Sequence, residues 1–308
     1  MATLAAIRVR CPAKVNLGLW ILGRREDGYH EIDTILQTVA LEDELTLEPA
    51  PSGFALETRG LPIPPGGPNL VEQAWDLISE QAAKSKFGGI RARLTKRIPI
   101  GAGLGGGSSD AAGLLAGANH LLALGLSGPE LKSLGARLGS DVPFFFQGGT
   151  ARATGRGEKV RQLCPIEPFW AVLVSPPIAI STTWAYGRSR FYLTPESSGA
   201  NLLALAIGSR GWGAVADAMH NVFEDVVLPE FPSIAELKRS LIGSSAMKAL
   251  LSGSGSTIYG VARSFDEAMR AAKGIAGGRG CSCGQNSGAR RLRCARCVMF
   301  SSPAAAAI

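Results

Sequence analysis

No run of 18 or more apolar residues occurs anywhere in this 308-residue chain, so no helix is expected to cross a membrane. Positions 1 to 10 lack a basic segment followed by an apolar one, the pattern of a secretory leader, and a cytoplasmic setting is expected. Cysteine is nearly absent from the body of the chain: only Cys11 and Cys164 precede residue 281. No repeat period is visible, and positive charge is thin where it would matter. The net charge is +7, but five arginines and no acid fall between 274 and 308. Without that segment 27 basic residues face 25 acidic ones, leaving +2. A nucleic-acid-binding face on the body is therefore excluded, and no nucleic-acid or membrane partner is expected. Disorder is excluded for the body too, because 46% of the residues are hydrophobic.

What remains is a chain long enough for one large domain or two ordinary ones. Alternating segments on either side of Pro12 predict two short strands with a break there. Residues 23–28 read as a turn, and 32–47 as a strand. Asn69 and Glu72 form a capping pair for a helix whose apolar face includes Leu70, Val71, Ala74, Leu77 and Ile78. Residues 90–98 alternate as a half-exposed strand, and Ser127 with Glu130 forms a capping box. Strands are expected at 142–146, 151–160, 170–174, 248–251 and 258–262. Capping patterns at Ser233/Glu236 and Ser264/Glu267 predict two later helices. A boundary between two α+β halves falls at 160–168, where Cys164-Pro and Glu167-Pro punctuate the chain.

Five of the seven residues from Gly101 to Gly107 are glycine, followed by Ser108, Ser109 and a small-residue helix. Such a run lets successive N–H groups converge on an anion at the positive end of a helix. A P-loop is excluded, since no lysine follows the last glycine. Gly101-x-Gly103-x-x-Gly106 matches the dinucleotide pattern formally but lacks the acid about 20 residues on that should end the next strand. A tight turn without a ligand is disfavoured by the backbone entropy of so many glycines, roughly 0.5–1 kcal/mol each relative to Ala.

Pro12-Ala-Lys-Val-Asn-Leu, the Pro99–Asp110 segment and Leu251-Ser-Gly-Ser-Gly-Ser-Thr resemble, in order and spacing, the three motifs of the GHMP small-molecule kinases. Asp27-Gly-Tyr-His-Glu-Ile-Asp-Thr and Leu138-Gly-Ser-Asp-Val-Pro-Phe-Phe are similar to the branch acting on a cytidine diphosphate-linked methylerythritol. The likeness covers roughly residues 7–273 and implies a two-domain α+β fold. In it, an N-terminal domain like ribosomal protein S5 domain 2 (1–163) binds ATP, and a ferredoxin-like C-terminal domain follows (164–276). The implied protein is a monomer or homodimer.

The resemblance also implies roles. Lys14 and Asp141 would be catalytic, the carboxylate taking or orienting the hydroxyl proton and the ammonium keeping it ionised. For Asp141 the bland alternative is a turn aspartate serving local N–H groups. Pro99, Ile100, Gly101, Ala102, Gly103, Leu104, Gly105, Gly106, Gly107, Ser108 and Ser109 would bind ATP. Asn16, Tyr29, His30, Thr182 and Tyr186 would bind the substrate, the aromatic rings against its pyrimidine. Trp184 competes with Tyr186 for that position, and Gly253–Ser256 would pack against the phosphate loop. Mg²⁺ is needed to neutralise the β- and γ-phosphates. Its ligands are not identified by any carboxylate cluster, and Ser108 is the one candidate. Rival substrates are a mevalonate- or homoserine-type alcohol, and a rival class is a non-catalytic nucleotide-binding protein.

The Arg/Cys/Gly/Ala-rich tail at 277–308 departs from the family pattern. It is expected to be disordered or non-native sequence in place of the last strand. Its Cys281, Cys283, Cys294 and Cys297 make a weak zinc spacing.

Overall fold

In the computed structural model the described residues are 6–64, 69–82, 88–189, 198–209, 211–277 and 296–301. The chain opens with a long antiparallel hairpin, β1 (Ile7–Arg24) and β2 (His30–Ala50). β3 (Gly53–Gly60), helix α1 (Leu70–Ala82) and β4 (Gly89–Lys96) follow. Asn69 Oδ1 accepts from Val71 N at 3.0 Å and Glu72 reaches back to Asn69 N at 2.9 Å, so α1 starts where its capping pair predicts.

Pro12 does not end the first strand. It sits at a register shift, where Pro12 pairs with Glu42 but Ala13 with Val39. Alternate residues of a regular strand share a face. Here Val9 and Cys11 belong to one core while Ala13, Val15 and Leu17 belong to another. The irregularity thus exchanges the faces, and Lys14 and Asn16 emerge on the side that Cys11 occupies one turn of pleat earlier.

Helices α2 (Gly106–Leu121), α3 (Gly128–Leu138) and α4 (Val142–Phe145) come next, then the hairpin β5 (Thr150–Gly155) and β6 (Lys159–Gln162). The segment 142–146, expected as a strand, is helical instead. Its residues are almost all buried, so alternation carries no information, and Pro143 in the first turn suits a helix start. The first sheet runs β3-β4-β2-β1, with β5 on the other stretch of β2. Its core against α1–α4 includes Leu45, Leu47, Leu114, Leu115 and Phe145. Small residues let α2 lie close: a Cβ on Gly113 would stand 2.6 Å from Cys11 Sγ.

Beyond residue 164 come β7 (Trp170–Ser175), α5 (Thr182–Arg188), α6 (Ser198–Gly208), α7 (Trp212–Ala218) and β8 (His220–Asn221). Then follow α8 (Glu224–Glu230), α9 (Pro232–Gly243), β9 (Lys248–Leu251), β10 (Ile258–Ala262), α10 (Phe265–Gly277) and β11 (Arg296–Ser301). Ser264 caps α10 as expected, accepting from Glu267 N at 3.2 Å. The start of α9 differs: Pro232 is its first residue, and Phe231, not Ser233, stands at the cap position.

The second sheet has the order β11-β7-β10-β9. Taken with the helices between them, these strands form a βαββαβ unit. Within the tail, expected to be disordered or non-native, residues 296–301 form β11, which pairs antiparallel with β7 from Arg296↔Ser175 to Ser301↔Trp170. The apolar run Cys-Val-Met-Phe that forms it is only four residues long, too short to stand out in an Arg- and Cys-rich context. The rest of the tail, with Cys281, Cys283 and Cys294, lies outside the described residues. Nor is the division at 163/164 clean, because β8 returns to pair in parallel with β1 at Gly18 and Leu19. The two sheets pack through Val15, Leu17, Ile35, Val39, Leu173, Leu250 and Tyr259. No helix among the described residues is long and apolar enough to cross a membrane.

Close packing of α2 on β1 is open to test. Gly113→Val should destabilise the chain by about 1–3 kcal/mol through overpacking against Cys11, read as a lower urea midpoint. An unchanged midpoint would mean that the gap holds a side chain without strain.

Candidate active site

The glycine segment passes from the end of β4 into α2, and its shape is set by what lies beneath it. Lys96 Nζ is buried between two carboxylates, touching Asp43 and, at 2.6 Å, Asp110 Oδ2. Asp43 also accepts from the backbone N–H groups of Arg97 and Ile98. One ammonium therefore ties β2, the exit of β4 and the first turn of α2 together. Burial raises the Asp110 carboxyl to about 7, with Lys96 opposing and Asp43 adding to the rise. Burial would lower the Lys96 ammonium, but the two carboxylates outweigh it and hold it above its ordinary value.

Above this anchor the loop docks on the turn between β9 and β10. Ser252 Oγ donates to Gly103 O at 2.9 Å and Thr257 N to Ala102 O at 3.2 Å. At Gly103, φ is +79° and a Cβ would lie 2.0 Å from Ser252 O, so only glycine fits. Gly105, left-handed at φ 70°, is the N-cap of α2 and makes no side-chain cap bond. Ser109 N closes the first helical hydrogen bond, onto Gly105 O at 2.9 Å. By helix geometry the N–H groups of Gly106, Gly107 and Ser108 are left for an external acceptor.

These elements wall a cleft of about 710 Å³. Of the expected ATP-binding residues, Gly103, Gly105 and Ser108 line it. Ile100, Gly101 and Gly107 are exposed and Pro99 half-buried beside the cleft, whereas Ala102, Leu104, Gly106 and Ser109 are buried. Leu104 O accepts from Lys14 N at 2.9 Å. Ser109 Oγ is buried and finds no hydrogen-bond partner among the described residues.

Lys14 and Asp141 meet across the cleft, Nζ to Oδ2 at 3.4 Å, with the ammonium 5% exposed and the carboxylate 37%. Asp141 occupies the cap position of α4 yet makes no side-chain cap bond. The turn-aspartate alternative is thus not the one adopted; the carboxylate is directed at Lys14. Asn16 Oδ1 accepts from Lys14 Nζ at 2.8 Å and from Gly253 N at 2.9 Å, while Asn16 Nδ2 donates to Thr34 Oγ1 at 2.9 Å. Both ends of the Asn16 amide are therefore engaged within the protein, and the residue holds the ammonium in place.

Tyr29, His30, Thr182 and Tyr186 all line the same cleft. Tyr29 is 54% exposed at its mouth, with the Arg156 guanidinium 4.7 Å over its ring. His30 stacks on Tyr186 at 4.7 Å between centroids, and Phe223 meets Tyr186 edge-on at 4.8 Å. Burial, with the Arg24 guanidinium, pushes the His30 imidazole below its ordinary value. Burial and the neighbouring Asp141 push the Tyr186 hydroxyl up. Tyr186 and not Trp184 faces the cleft; Trp184 packs on Phe231 under Arg188. Thr182 Oγ1 lies 3.2 Å from Ser254 Oγ.

Sequence reasoning missed Arg24, Arg156 and Phe223, which also line the cleft. Arg156 sits at the tip of the β5–β6 hairpin between Gly155 and Gly157, and nothing in that spacing marks which arginine turns inward. Among the described residues no group of three or more His, Cys, Asp or Glu could hold a metal by itself. Mg²⁺ on a nucleotide needs only one or two protein oxygens beside the phosphates, and Ser108, which lines the cleft, fits that demand.

The profile of the GHMP kinases N terminal domain matches residues 69–149, and that of the GHMP kinases C terminal matches 203–277. A 4-diphosphocytidyl-2-C-methyl-D-erythritol kinase from Pelotomaculum thermopropionicum is 40% identical over 261 residues, covering 84% of this chain and 90% of the relative. One of the same name from Symbiobacterium thermophilum is 43% identical over 261 residues, covering 83% and 90%. A crystal structure of 4-(cytidine 5'-diphospho)-2C-methyl-D-erythritol kinase superposes with a TM-score of 0.77 at 34% identity, covering 96% of this chain and 98% of that one.

The buried anchor gives a test of the loop's support. Lys96→Met leaves Asp43 and Asp110 without their cation and should cost about 3–5 kcal/mol at about pH 9. The variant's deficit should shrink at about pH 5, because the Asp110 carboxyl, raised by burial to about 7, then holds a proton and needs no cation. Urea midpoints that fall equally at both pH values would refute this charge balance.

Proposed function

The chain belongs to the 4-diphosphocytidyl-2-C-methyl-D-erythritol kinases of the GHMP superfamily, and we propose that Lys14 and Asp141 carry its phosphotransfer. The enzyme catalyses the ATP-dependent phosphorylation of its cytidine diphosphate-linked alcohol in non-mevalonate isoprenoid precursor biosynthesis. The acceptor is the 2-hydroxyl of the methylerythritol, and the products are the 2-phosphate and ADP.

One observation carries the assignment of roles: a buried ammonium and a partly exposed carboxylate 3.4 Å apart, between an uncapped helix start and an aromatic cleft. Asp141 takes the proton of the attacking hydroxyl. Lys14 pairs with that carboxylate and offsets the negative charge that grows on the acceptor oxygen and the phosphoryl group. The free N–H groups of Gly106 to Ser108, with Gly103 and Gly105 beside them, donate to the phosphate oxygens and orient the terminal phosphate. Ser108 would hold Mg²⁺, which when bound neutralises the β- and γ-phosphates. Neither charged residue forms a covalent bond; their work is positioning and electrostatics.

The other end of the substrate is a base and a diphosphate. Tyr29, His30 and Tyr186 supply ring faces and a polar ring edge for the cytosine. Arg24 and Arg156 bring positive charge to the diphosphate. A homoserine- or mevalonate-type alcohol carries no base or diphosphate for these groups to bind, and a nucleotide-binding protein with no chemistry would not need the Lys14–Asp141 pair. Cytoplasmic location, a monomeric or homodimeric state and the absence of nucleic-acid or membrane partners complete the proposal.

ADP release should be fast with the cytidine diphosphate-linked methylerythritol and absent with mevalonate and homoserine. Turnover of either of those two but not the first would overturn the substrate. Asp141→Asn should lower kcat by about 10²–10⁴-fold and leave ATP affinity, read by calorimetry, near that of the wild type. A wild-type rate would remove Asp141 from the reaction.

A further inference from the structure

Lys14 is held by Asn16, and Asn16 in turn by Gly253, so whatever holds Gly253 bears on the position of the ammonium. Gly253 follows β9, the outermost strand of the second sheet. The outer side of such a strand presents N–H and C=O groups with no ladder partner. At Leu251 both are taken by side chains from the end of β8 and the start of α8. Asn221 Nδ2 donates to Leu251 O at 2.7 Å, and Leu251 N donates to Glu224 Oε1 at 2.8 Å. The same Asn221 Nδ2 donates its second hydrogen to Gly253 O at 2.8 Å. Its Oδ1 accepts from Phe223 N at 3.0 Å, which fixes the amide's orientation. Glu224 is itself braced, Oε2 receiving Lys238 Nζ at 2.5 Å.

Asn221 is 1% exposed and stands outside the cleft lining, so it does not reach the reacting atoms. It lies on β8, paired with β1 at Leu19, three residues along the strand from Asn16. The hydrogen bonds therefore form a closed circuit. β1 carries Lys14 and Asn16, β8 rides on β1, Asn221 grips the 251–253 backbone, and Gly253 N returns to Asn16 Oδ1. Gly253, at φ 56°, has the left-handed backbone that turns its N–H inward.

We propose that Asn221, braced by Glu224, is a positioning residue that sets the Gly253 N–H and, through Asn16, aims the Lys14 ammonium at Asp141. An amide is required there, because two carbonyl oxygens need two donors from one side chain. An aspartate at this position would set one carboxylate oxygen, in place of Nδ2, against both carbonyls at under 3 Å and let the turn swing away. The inference rests on the phosphotransfer proposed for Lys14 and Asp141.

The test uses the full chain with ATP, Mg²⁺ and the cytidine diphosphate-linked substrate. Asn221→Ser, which keeps one donor, and Asn221→Asp are compared with Asn16→Ala and with the Asn16→Ala/Asn221→Ser double variant. Asn221→Asp should lose about 100-fold in kcat and Asn221→Ser about tenfold, with both KM values within about threefold of wild type. In the Asn16→Ala background the added Asn221→Ser should cost under about threefold, since its route to Lys14 is already cut. Raised KM with kcat retained, or losses that multiply, would overturn the proposal. If neither Asn221 variant folds, hydrogen exchange of the wild-type Gly253 amide decides. Protection matching that of the β9–β10 ladder supports the circuit, and rapid exchange overturns it. Lys14→Met and Asp141→Asn run alongside: wild-type rates there would defeat the phosphotransfer roles themselves, whereas losses there with an intact Asn221 series defeat only this inference.

Discussion

A single oxygen, Asn16 Oδ1, joins parts of this enzyme that lie far apart along the chain. It takes one hydrogen bond from the Lys14 ammonium and one from Gly253 N, a residue 237 positions away. The backbone around it is fastened as firmly. Tyr259 Oη donates to Asn16 O at 2.7 Å, and Thr34 Oγ1, which accepts from Asn16 Nδ2, donates onward to Gly18 O at 2.6 Å. Buried polar groups demand full satisfaction, and a satisfied network is stiff. Lys14 consequently has little freedom, and it meets Asp141 in one arrangement. The irregularity of β1 at Pro12 is what makes this possible. Without the exchange of faces, Lys14 would point between the two sheets, among Val39, Leu173 and Tyr259.

The glycine segment shows how a binding loop is supported by charge below and packing to the side. Lys96, Asp43 and Asp110 hold its two ends, and the β9–β10 turn holds its middle. Several of its glycines answer to close contact as well as to any ligand: Gly103 against Ser252 O, and Gly106 against Ile98, whose Cγ2 would lie 2.9 Å from an added Cβ. Glycine density alone is thus an ambiguous sign. The uncapped start of α2, open to the cleft beside Lys14, is the more specific one.

Much of this was legible because local rules and family motifs agree. The capping pairs at Asn69 and Ser127, the alternation in β4 and the turn between β9 and β10 follow from short-range chemistry. The motif residues Lys14, Asp141, Tyr29, His30, Thr182 and Tyr186 do converge on one cleft. The failures have physical causes. Segment 142–146 is buried on all sides, so neither helical nor strand period is written into it. β1 crosses a proline because a register shift can absorb one. β11 rests on pairing with β7 rather than on any local pattern. Arg156, Asn221 and the partition between Trp184 and Tyr186 depend on which long-range neighbour each side chain meets, and no spacing in a single sequence encodes that.

The return of β8 to the first sheet bears on how the molecule is made. While the ribosome has delivered only the first half, the hairpin of β1 and β2 presents Val15, Leu17, Ile35 and Val39 to water, awaiting strands not yet synthesised. Contacts of such long sequence separation form late, and exposed apolar sheet invites association with other chains. The growing polypeptide therefore acquires Lys14 and Asp141 long before it can use them. Only after residue 253 emerges does the oxygen of Asn16 receive its second donor, and competence waits for the turn between β9 and β10 to be made.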